Sequence, residues 1–262
     1  MVMQTLPIHW PGLPANVGVL STVRTGGISA APFDDGAGGG GLNLGTHVGD
    51  MPEAVAHNRA LLRALLPADP AWLSQVHGVD VVDAREALQR TQMDQPLRAD
   101  ASIAAAEGAV CAIMTADCMP VLLADIEGRV VGAAHAGWRG LAGGVLENTV
   151  AQMRKAGAGE LMAWLGPAIG AERFEVGEDV PLAFQRLGDA AEQAFRPIAD
   201  SKGKFLADLP ALARLALTAA GVDRLAGGEH CTVSEPERFY SFRRDRVTGR
   251  MASLIWIKPL SR

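Results

Sequence analysis

Hydrophobic residues recur along this chain at two spacings, and each spacing predicts a different element. Short continuous or alternating apolar runs predict β-strands, and apolar positions three and four residues apart predict amphipathic helices. The predicted strands are 17–24, 79–82, 101–105, 110–114, 121–124, 130–134, 161–165 and 254–257. The predicted helices are 52–66, 141–155, 180–187 and 206–220. Because strands and helices alternate irregularly, we expect an α+β (mixed α/β) fold with mixed sheets, in a single domain over residues 1–262.

The centre of the chain predicts a β-hairpin that brings a cysteine close to a histidine. Two apolar runs flank a turn that carries Glu127-Gly128. If the turn is centred between Ile126 and Glu127, Cys118 lies opposite His135. Directly opposed residues have Cβ atoms about 4.5 to 5.5 Å apart. A thiolate and an imidazole would then meet, which suits either a metal site or a nucleophile with its base.

The segment His135-Ala-Gly-Trp-Arg-Gly140 joins the second hairpin strand to the next predicted helix. Its glycines allow a tight turn and close backbone approach, and Arg139 at a helix start would attract phosphate or a carboxylate. A catalytic zinc normally takes three protein ligands and keeps one position open. For the third ligand, the residues alone do not separate His77, before a strand, from His47, after a Gly-rich stretch.

Composition narrows the partners and the compartment. A net charge of -5 argues against a protein that binds the nucleic-acid backbone, so small-molecule substrates are expected. Three cysteines do not make a disulfide framework, and neither a secretory signal nor an apolar run long enough to span a membrane is present. We therefore expect a cytoplasmic protein with no membrane partner, as a monomer or weak homodimer.

Several short motifs follow one another along nearly the whole chain. They are Val23-Arg-Thr-Gly-Gly-Ile-Ser29, Leu42-Asn-Leu-Gly45, Ser74-Gln-Val-His-Gly78, Thr115-Ala-Asp-Cys118, Ala134-His-Ala-Gly-Trp-Arg-Gly140, Gly166-Pro-Ala-Ile-Gly170, Phe174-Glu-Val-Gly177 and Phe239-Tyr-Ser-Phe-Arg-Arg-Asp245. Together they resemble the YfiH-like family, also called the laccase-domain or polyphenol-oxidase-labelled family. The resemblance implies an α-β-β-α sandwich with mixed sheets, similar to cysteine hydrolases and toxin deamidases. One departure is the Gly-rich insertion 34–41, which changes a loop near the expected active site.

The same resemblance implies a zinc enzyme that acts on purine nucleosides. Its reactions would be phosphorolysis of adenosine, inosine, guanosine or S-methyl-5'-thioadenosine, and hydrolytic deamination of adenosine. The metal ligands and catalytic residues of the family map onto His77, Cys118 and His135. Phosphate and the nucleoside also need binding residues, for which the candidates are Arg24, Asn43, Arg139 and Arg243.

Three other functions remain open. The older family label suggests a copper-dependent polyphenol oxidase (laccase), although the six histidines form no His-x-His pair of the kind found in multicopper oxidases. Cys118 with His135 as base would suit a cysteine hydrolase, acting in peptidoglycan precursor editing. A non-catalytic purine- or zinc-binding module would use the same residues for recognition alone. Zinc-dependent phosphorolysis is the leading interpretation.

Overall fold

The computed structural model describes residues 3–199 and 201–259, and the strands of these residues, apart from Thr25–Ser29, form three sheets. The strands are β1 Thr5–Leu6, β2 Val17–Thr22, β3 Thr25–Ser29, β4 Pro70–Ala71, β5 Val81–Asp83, β6 Ala101–Ala104, β7 Val110–Thr115, β8 Met119–Asp125, β9 Val131–Ala136, β10 Leu161–Leu165, β11 Glu175–Gly177, β12 Phe195–Pro197, β13 Lys204–Ala207, β14 Arg224–Gly227 and β15 Met251–Ile257. The helices are α1 Pro52–Arg63, α2 Ala84–Gln92, α3 Trp138–Gly143, α4 Val145–Lys155, α5 Asp179–Ala183, α6 Leu209–Ala219 and α7 Phe242–Asp245, with 3-10 turns at Gln185–Leu187 and Asp189–Ala194.

Two mixed sheets lie face to face at the centre of the molecule. The first has the strand order β1-β2-β15-β7-β4, and the second has the order β14-β10-β8-β9-β6-β5. The core between them contains Ile113 of β7, Leu122 of β8, Ala133 of β9 and Ile255 of β15. Every residue of β7, β8 and β15 is buried, which explains why these strands are continuous apolar runs in the sequence.

Helices cover the two outer faces of the sheet pair. Leu62 of α1 packs with Leu254 on the first sheet, and Leu146 of α4 packs with Leu212 of α6 on the second. The small antiparallel sheet β11-β13-β12 adds Val176 to the second of these cores. The predicted single-domain α+β sandwich is therefore confirmed. Its predicted extent reaches 1–2, 200 and 260–262, which lie outside the described residues.

None of the helices in the described ranges is long and apolar enough to cross a bilayer.

The central hairpin of β8 and β9 forms, but its register differs from the predicted one. Pro120 lies opposite His135, where the prediction placed Cys118. The turn is centred one residue later than predicted, so each partner moves along its strand. Cys118 consequently comes just before β8 and faces the end of β9 diagonally.

Asp125 sets the position of this turn. Its buried carboxylate accepts hydrogen bonds from the N–H groups of Glu127, at 2.9 Å, and of Gly159. The guanidinium of Arg129 forms an ion pair with it at 3.1 Å. Gly128 takes a φ of 70°, a region that favours glycine, and donates to the carbonyl of Asp125 at 2.8 Å. These bonds centre the turn between Glu127 and Gly128.

Candidate active site

Three segments from the two central sheets bring the predicted metal ligands together. His77 lies in the loop between β4 and β5, Cys118 in the turn between β7 and β8, and His135 on β9. Their ligand atoms all lie within 4.8 Å of one another, and Cys118 Sγ is 3.7 Å from His77 Nε2. His135 is buried whereas His77 is exposed, so the site opens to solvent on the His77 side. The group contains His77 and not His47.

A fully buried carboxylate, Asp100, holds both histidines in place. Asp100 Oδ1 lies 2.8 Å from Nδ1 of His135, which leaves Nε2 of that ring for a metal. The same carboxylate accepts the N–H groups of Val76 at 3.1 Å, His77 at 2.9 Å and Gly78 at 2.7 Å. These three bonds stabilise the loop in which His77 has a φ of 59°.

Sequence reasoning did not identify Asp100. The residue stands alone between Ala99 and Ala101, ahead of a short apolar strand, and belongs to no recognisable motif. An acidic residue at the entry of a buried strand was the one available signal.

The donor set fits zinc. Two imidazole nitrogens and one thiolate are common zinc ligands, and Zn–N bonds of about 2.0 to 2.1 Å with a Zn–S bond of about 2.3 Å place tetrahedral ligand atoms about 3.3 to 3.6 Å apart. The 3.7 Å between Cys118 Sγ and His77 Nε2 agrees with that spacing. Within the described ranges the group has three protein ligands, which is the pattern of a catalytic zinc with an open position.

Cys118 and His135 favour opposite charges. Burial raises the pKa of the Cys118 thiol, but His135 and His77 outweigh burial and lower that pKa to about 6. Burial lowers the pKa of His135, but Cys118 and the hydrogen-bonded Asp100 outweigh it and raise that pKa to about 9. Without metal, the two residues therefore form a thiolate–imidazolium pair near neutral pH. Metal binding would have to displace the proton from Nε2 of His135.

The segment after β9 has glycines at two positions where a Cβ atom would be too close to neighbouring atoms. Gly137 has a φ of -66°, which any residue can adopt. A Cβ atom at this position would lie 2.9 Å from Cys118 Sγ and 3.1 Å from His77 Cδ2. A Cβ atom at Gly140 would lie 2.8 Å from the carbonyl oxygen of Gly78. Both glycines allow the close backbone approach that the sequence predicted.

Two of the predicted substrate-binding residues lie on segments next to the metal ligands. Arg139 is exposed, and its guanidinium lies 4.3 Å from the ring centre of Trp138. Arg243 lies at the start of α7, and its N–H donates to Asp117 at 2.6 Å. Asp117 directly precedes Cys118, so this bond ties the Arg243 segment to the turn that carries the thiol.

The other two predicted binding residues are buried and bonded to protein atoms. Arg24 donates to the carbonyls of Asp34 and Pro236, both at 2.8 Å. Asn43 donates to Asp50 at 2.9 Å, and its Oδ1 atom accepts the N–H of Arg250 at 2.8 Å. In the free protein these side chains hold the loops around 34–50, and a role in substrate binding stays a prediction.

Comparison with known proteins adds a family. The family described as multi-copper polyphenol oxidoreductase laccase matches residues 18–258. A Pseudomonas aeruginosa protein named purine nucleoside phosphorylase is 51% identical over 249 residues, covering 95% of this chain and 96% of that protein. The Escherichia coli protein named purine nucleoside phosphorylase YfiH is 47% identical over 251 residues, covering 95% of this chain and 97% of that protein.

Solved structures agree with these similarities. The crystal structure of a Neisseria meningitidis protein matches with a TM-score of 0.86 at 49% identity, covering 99% of this chain and 100% of the other. YlmD from Geobacillus stearothermophilus matches with a TM-score of 0.84 at 31% identity, covering 98% and 99%. The chain therefore belongs to the YfiH family, whose family description is multi-copper polyphenol oxidoreductase laccase.

Proposed function

We propose that the protein is a zinc-dependent purine nucleoside phosphorylase that also deaminates adenosine. Its substrates would be adenosine, inosine, guanosine and S-methyl-5'-thioadenosine, with inorganic phosphate as the second substrate. The observation that carries the proposal is the grouping of His77, Cys118 and His135, in a chain similar over nearly its whole length to proteins named purine nucleoside phosphorylase. We further propose a cytoplasmic monomer or weak homodimer that needs no nucleic acid and no membrane.

Phosphorolysis sets the tasks that the side chains must perform. A phosphate oxygen bonds to C1′ of the ribose while the bond from C1′ to the purine nitrogen breaks. The electron pair of the broken bond goes to the purine, which then takes a proton, and the sugar leaves as ribose 1-phosphate. The protein must therefore bind an anion and a nucleoside side by side.

The residues of the site divide these tasks. His77, Cys118 and His135 would hold the zinc, and Asp100 keeps Nε2 of His135 aimed at it. Bound zinc would supply Lewis acidity at the open position. Arg139, the second residue of α3 and four positions after His135, is exposed and is a candidate for substrate contact.

Loss of the thiol tests the proposal. We expect Cys118→Ala to lose stoichiometric zinc and to lower phosphate-dependent purine release by at least about 100-fold, because two ligands bind zinc much more weakly than three. Cys231→Ala is the matched control, since this half-buried cysteine lies outside the group of ligands and should leave zinc content and rate unchanged. Full purine release by a metal-free Cys118→Ala protein would contradict the proposal.

A cysteine hydrolase is the second candidate, because a thiol with a pKa of about 6 next to an imidazolium is also a nucleophile with its base. Iodoacetamide separates the two functions. If Cys118 is a zinc ligand, zinc protects it from alkylation, whereas a catalytic thiol is alkylated at the same rate with and without zinc.

The remaining alternatives have their own tests. Stoichiometric copper in protein purified without added metal would favour a polyphenol oxidase. Nucleoside binding by calorimetry without turnover during long incubation would favour a non-catalytic module.

A further inference from the structure

Two half-buried arginines close to the metal ligands have no acidic partner. Within the described ranges neither Arg59 of α1 nor Arg250, just before β15, has a carboxylate oxygen within 4.0 Å. Many other arginines of the chain do have such a partner. These are Arg24, Arg63, Arg129, Arg186, Arg196, Arg224, Arg238 and Arg244. The Arg59 guanidinium lies 4.5 Å from the ring centre of Trp72, which compensates its charge only in part. Half-buried positive charge without a paired carboxylate is costly, and a bound anion would reduce that cost.

Both arginines are fixed by the same stretch of backbone. Arg59 Nε donates to the carbonyl of Leu44 at 2.9 Å, and the N–H of Leu44 donates to the carbonyl of Arg250 at 3.1 Å. Arg59 Nη2 lies 3.9 Å from Sδ of Met114, near the end of β7. The N–H of Arg250 donates to Asn43 at 2.8 Å. These bonds hold the Arg59 side chain and the Arg250 backbone at one end of the first sheet.

Each guanidinium keeps free N–H groups. Arg250 Nη1 donates to the carbonyls of Thr248 and Gly249, both at 3.0 Å, while its Nε and Nη2 have no acceptor among the described residues. Arg59 Nη1 likewise has no acceptor there. A tetrahedral oxyanion offers several acceptors in a geometry that guanidinium groups match.

Strand pairing places these arginines beside the metal ligands. Met251 lies opposite Thr115 in the antiparallel pair of β15 and β7, so Arg250 sits next to the turn that leads to Cys118. On the other side, the side chain of Gln75, two residues before His77, exchanges hydrogen bonds with the backbone of Met114, whose sulfur lies 3.9 Å from Arg59 Nη2.

The electrostatics of the neighbourhood agree with this placement. Burial lowers the pKa of Arg59 to about 10, so its guanidinium stays protonated at neutral pH. Burial also lowers the pKa of Arg250, and the negative charges of Cys118 and Asp117 oppose that shift. His47 is exposed at the rim of the region around the two arginines. Partial burial of its ring lowers its pKa, and the charges of Arg250 and Arg59 lower it further.

We propose that Arg59 and Arg250, with His47 at the rim, form the binding site for the inorganic phosphate used in phosphorolysis. The inference rests on the proposed function for the identity of the anion, because that reaction needs phosphate next to the nucleoside. Sequence motifs identify Arg24, Arg139 and Arg243 as candidates for phosphate binding. We assign that role instead to two residues that no sequence motif identified. Asn43 then positions the backbone of Arg250 and contributes to phosphate binding indirectly.

Substitution of each arginine tests the assignment. In zinc-loaded protein, Arg59→Gln and Arg250→Gln should each raise the KM for phosphate by at least about 10-fold, the equivalent of one lost charge-assisted hydrogen bond, and change the KM for inosine less than about 2-fold. Arg63→Gln is the matched control, because Arg63 lies one turn further along α1 and pairs with Asp69 in solvent. The KM for phosphate of Arg59→Lys should lie between those of the wild type and Arg59→Gln, since lysine keeps the positive charge but cannot form the paired hydrogen bonds of a guanidinium group.

Phosphate binding measured directly keeps this inference separate from the proposed function. Isothermal titration calorimetry of the zinc-loaded wild type with inorganic phosphate should show binding. Both Gln variants should raise the dissociation constant for phosphate by the same factor as they raise the KM for phosphate. That result would support a phosphate-binding site at Arg59 and Arg250 even if inosine were not cleaved. Absence of phosphate binding by the wild type, an unchanged phosphate affinity in both variants, or an equal rise in the KM for inosine would overturn it.

Discussion

At the scale of single residues, the site depends on Asp100, which would contact neither metal nor substrate. One buried carboxylate accepts the N–H groups of the His77 loop and bonds the ring of His135, so it couples two ligands that come from different segments.

We expect Asp100→Asn to weaken zinc binding by about 10- to 100-fold, the usual effect of losing the carboxylate behind a histidine ligand. The amide is a poorer acceptor and no longer stabilises the correct tautomer of His135. Competition with a chromophoric chelator measures this affinity. Asp80→Asn, at an exposed acidic position close by, should bind zinc like the wild type. Equal zinc affinity in wild type and Asp100→Asn would contradict the positioning role.

Gly137 offers a second test at this scale. We expect Gly137→Ala to lower zinc affinity by at least about 10-fold, because the new methyl group would lie between Cys118 Sγ and the ring of His77. The far-UV circular dichroism of the metal-free variant should match that of the wild type, since the backbone at this position is ordinary. Normal zinc affinity would show that the ligands can move aside.

Residue types and spacing were enough to predict part of the site. Cys118 and His135 flank a hairpin, and the family motifs added His77. Asp100, Arg59 and Arg250 could not be predicted, because their importance lies in tertiary properties. One is a carboxylate bonded to residues 23 and 35 positions away, and the others are cations that pair with no carboxylate.

At the scale of elements, the hairpin of β8 and β9 illustrates where sequence patterns stop being informative. Both strands were predicted, but their register depends on the side chain of Asp125, and apolar runs carry no information about that turn. Elsewhere, Gly144 takes a φ of 99° and divides the predicted helix 141–155 into α3 and α4. Helix α2 was missed because it buries little beyond Ala84 and Ala87.

Asp125→Ala should lower the free energy of unfolding by about 3 kcal/mol, since the N–H groups of Glu127 and Gly159 and the guanidinium of Arg129 would lose their buried acceptor. Urea denaturation measures the change. Glu127→Ala is the control, because Glu127 pairs with Arg129 in solvent and should contribute less than about 1 kcal/mol.

The difference in unfolding free energy between the wild type and Asp125→Ala should depend on pH. Burial raises the pKa of Asp125, but hydrogen bonds from Arg129 and Gly159 outweigh it, so the pKa in the folded protein is below the ordinary value. The stability that Asp125 contributes is then fully present above about pH 4 and is lost as the pH falls through its folded pKa. A stability difference that grew on acidification would contradict this account of the turn.

At the scale of the whole molecule, the metal ligands lie where the two central sheets meet. His77 follows a strand of the first sheet, Cys118 lies in the turn that crosses to the second sheet, and His135 ends a strand of the second. A bound metal would therefore connect the two halves of the sandwich.

Removal of zinc with a chelator should consequently lower the melting temperature. With zinc at about 100 times its dissociation constant, binding stabilises the folded state by about 2.7 kcal/mol, which corresponds to about 5 to 10 °C in a domain of this size. Differential scanning calorimetry measures the shift, and Cys118→Ala should show almost none. An equal shift in both proteins would mean that the chelator acts elsewhere.

The measurement that tests the central claim most directly is product analysis of zinc-loaded protein incubated with inosine, with and without inorganic phosphate. We predict hypoxanthine and ribose 1-phosphate in equal amounts when phosphate is present, and no release of hypoxanthine when phosphate is absent. Release of hypoxanthine with free ribose at the same rate in both samples, or no cleavage of inosine in either, would contradict zinc-dependent phosphorolysis.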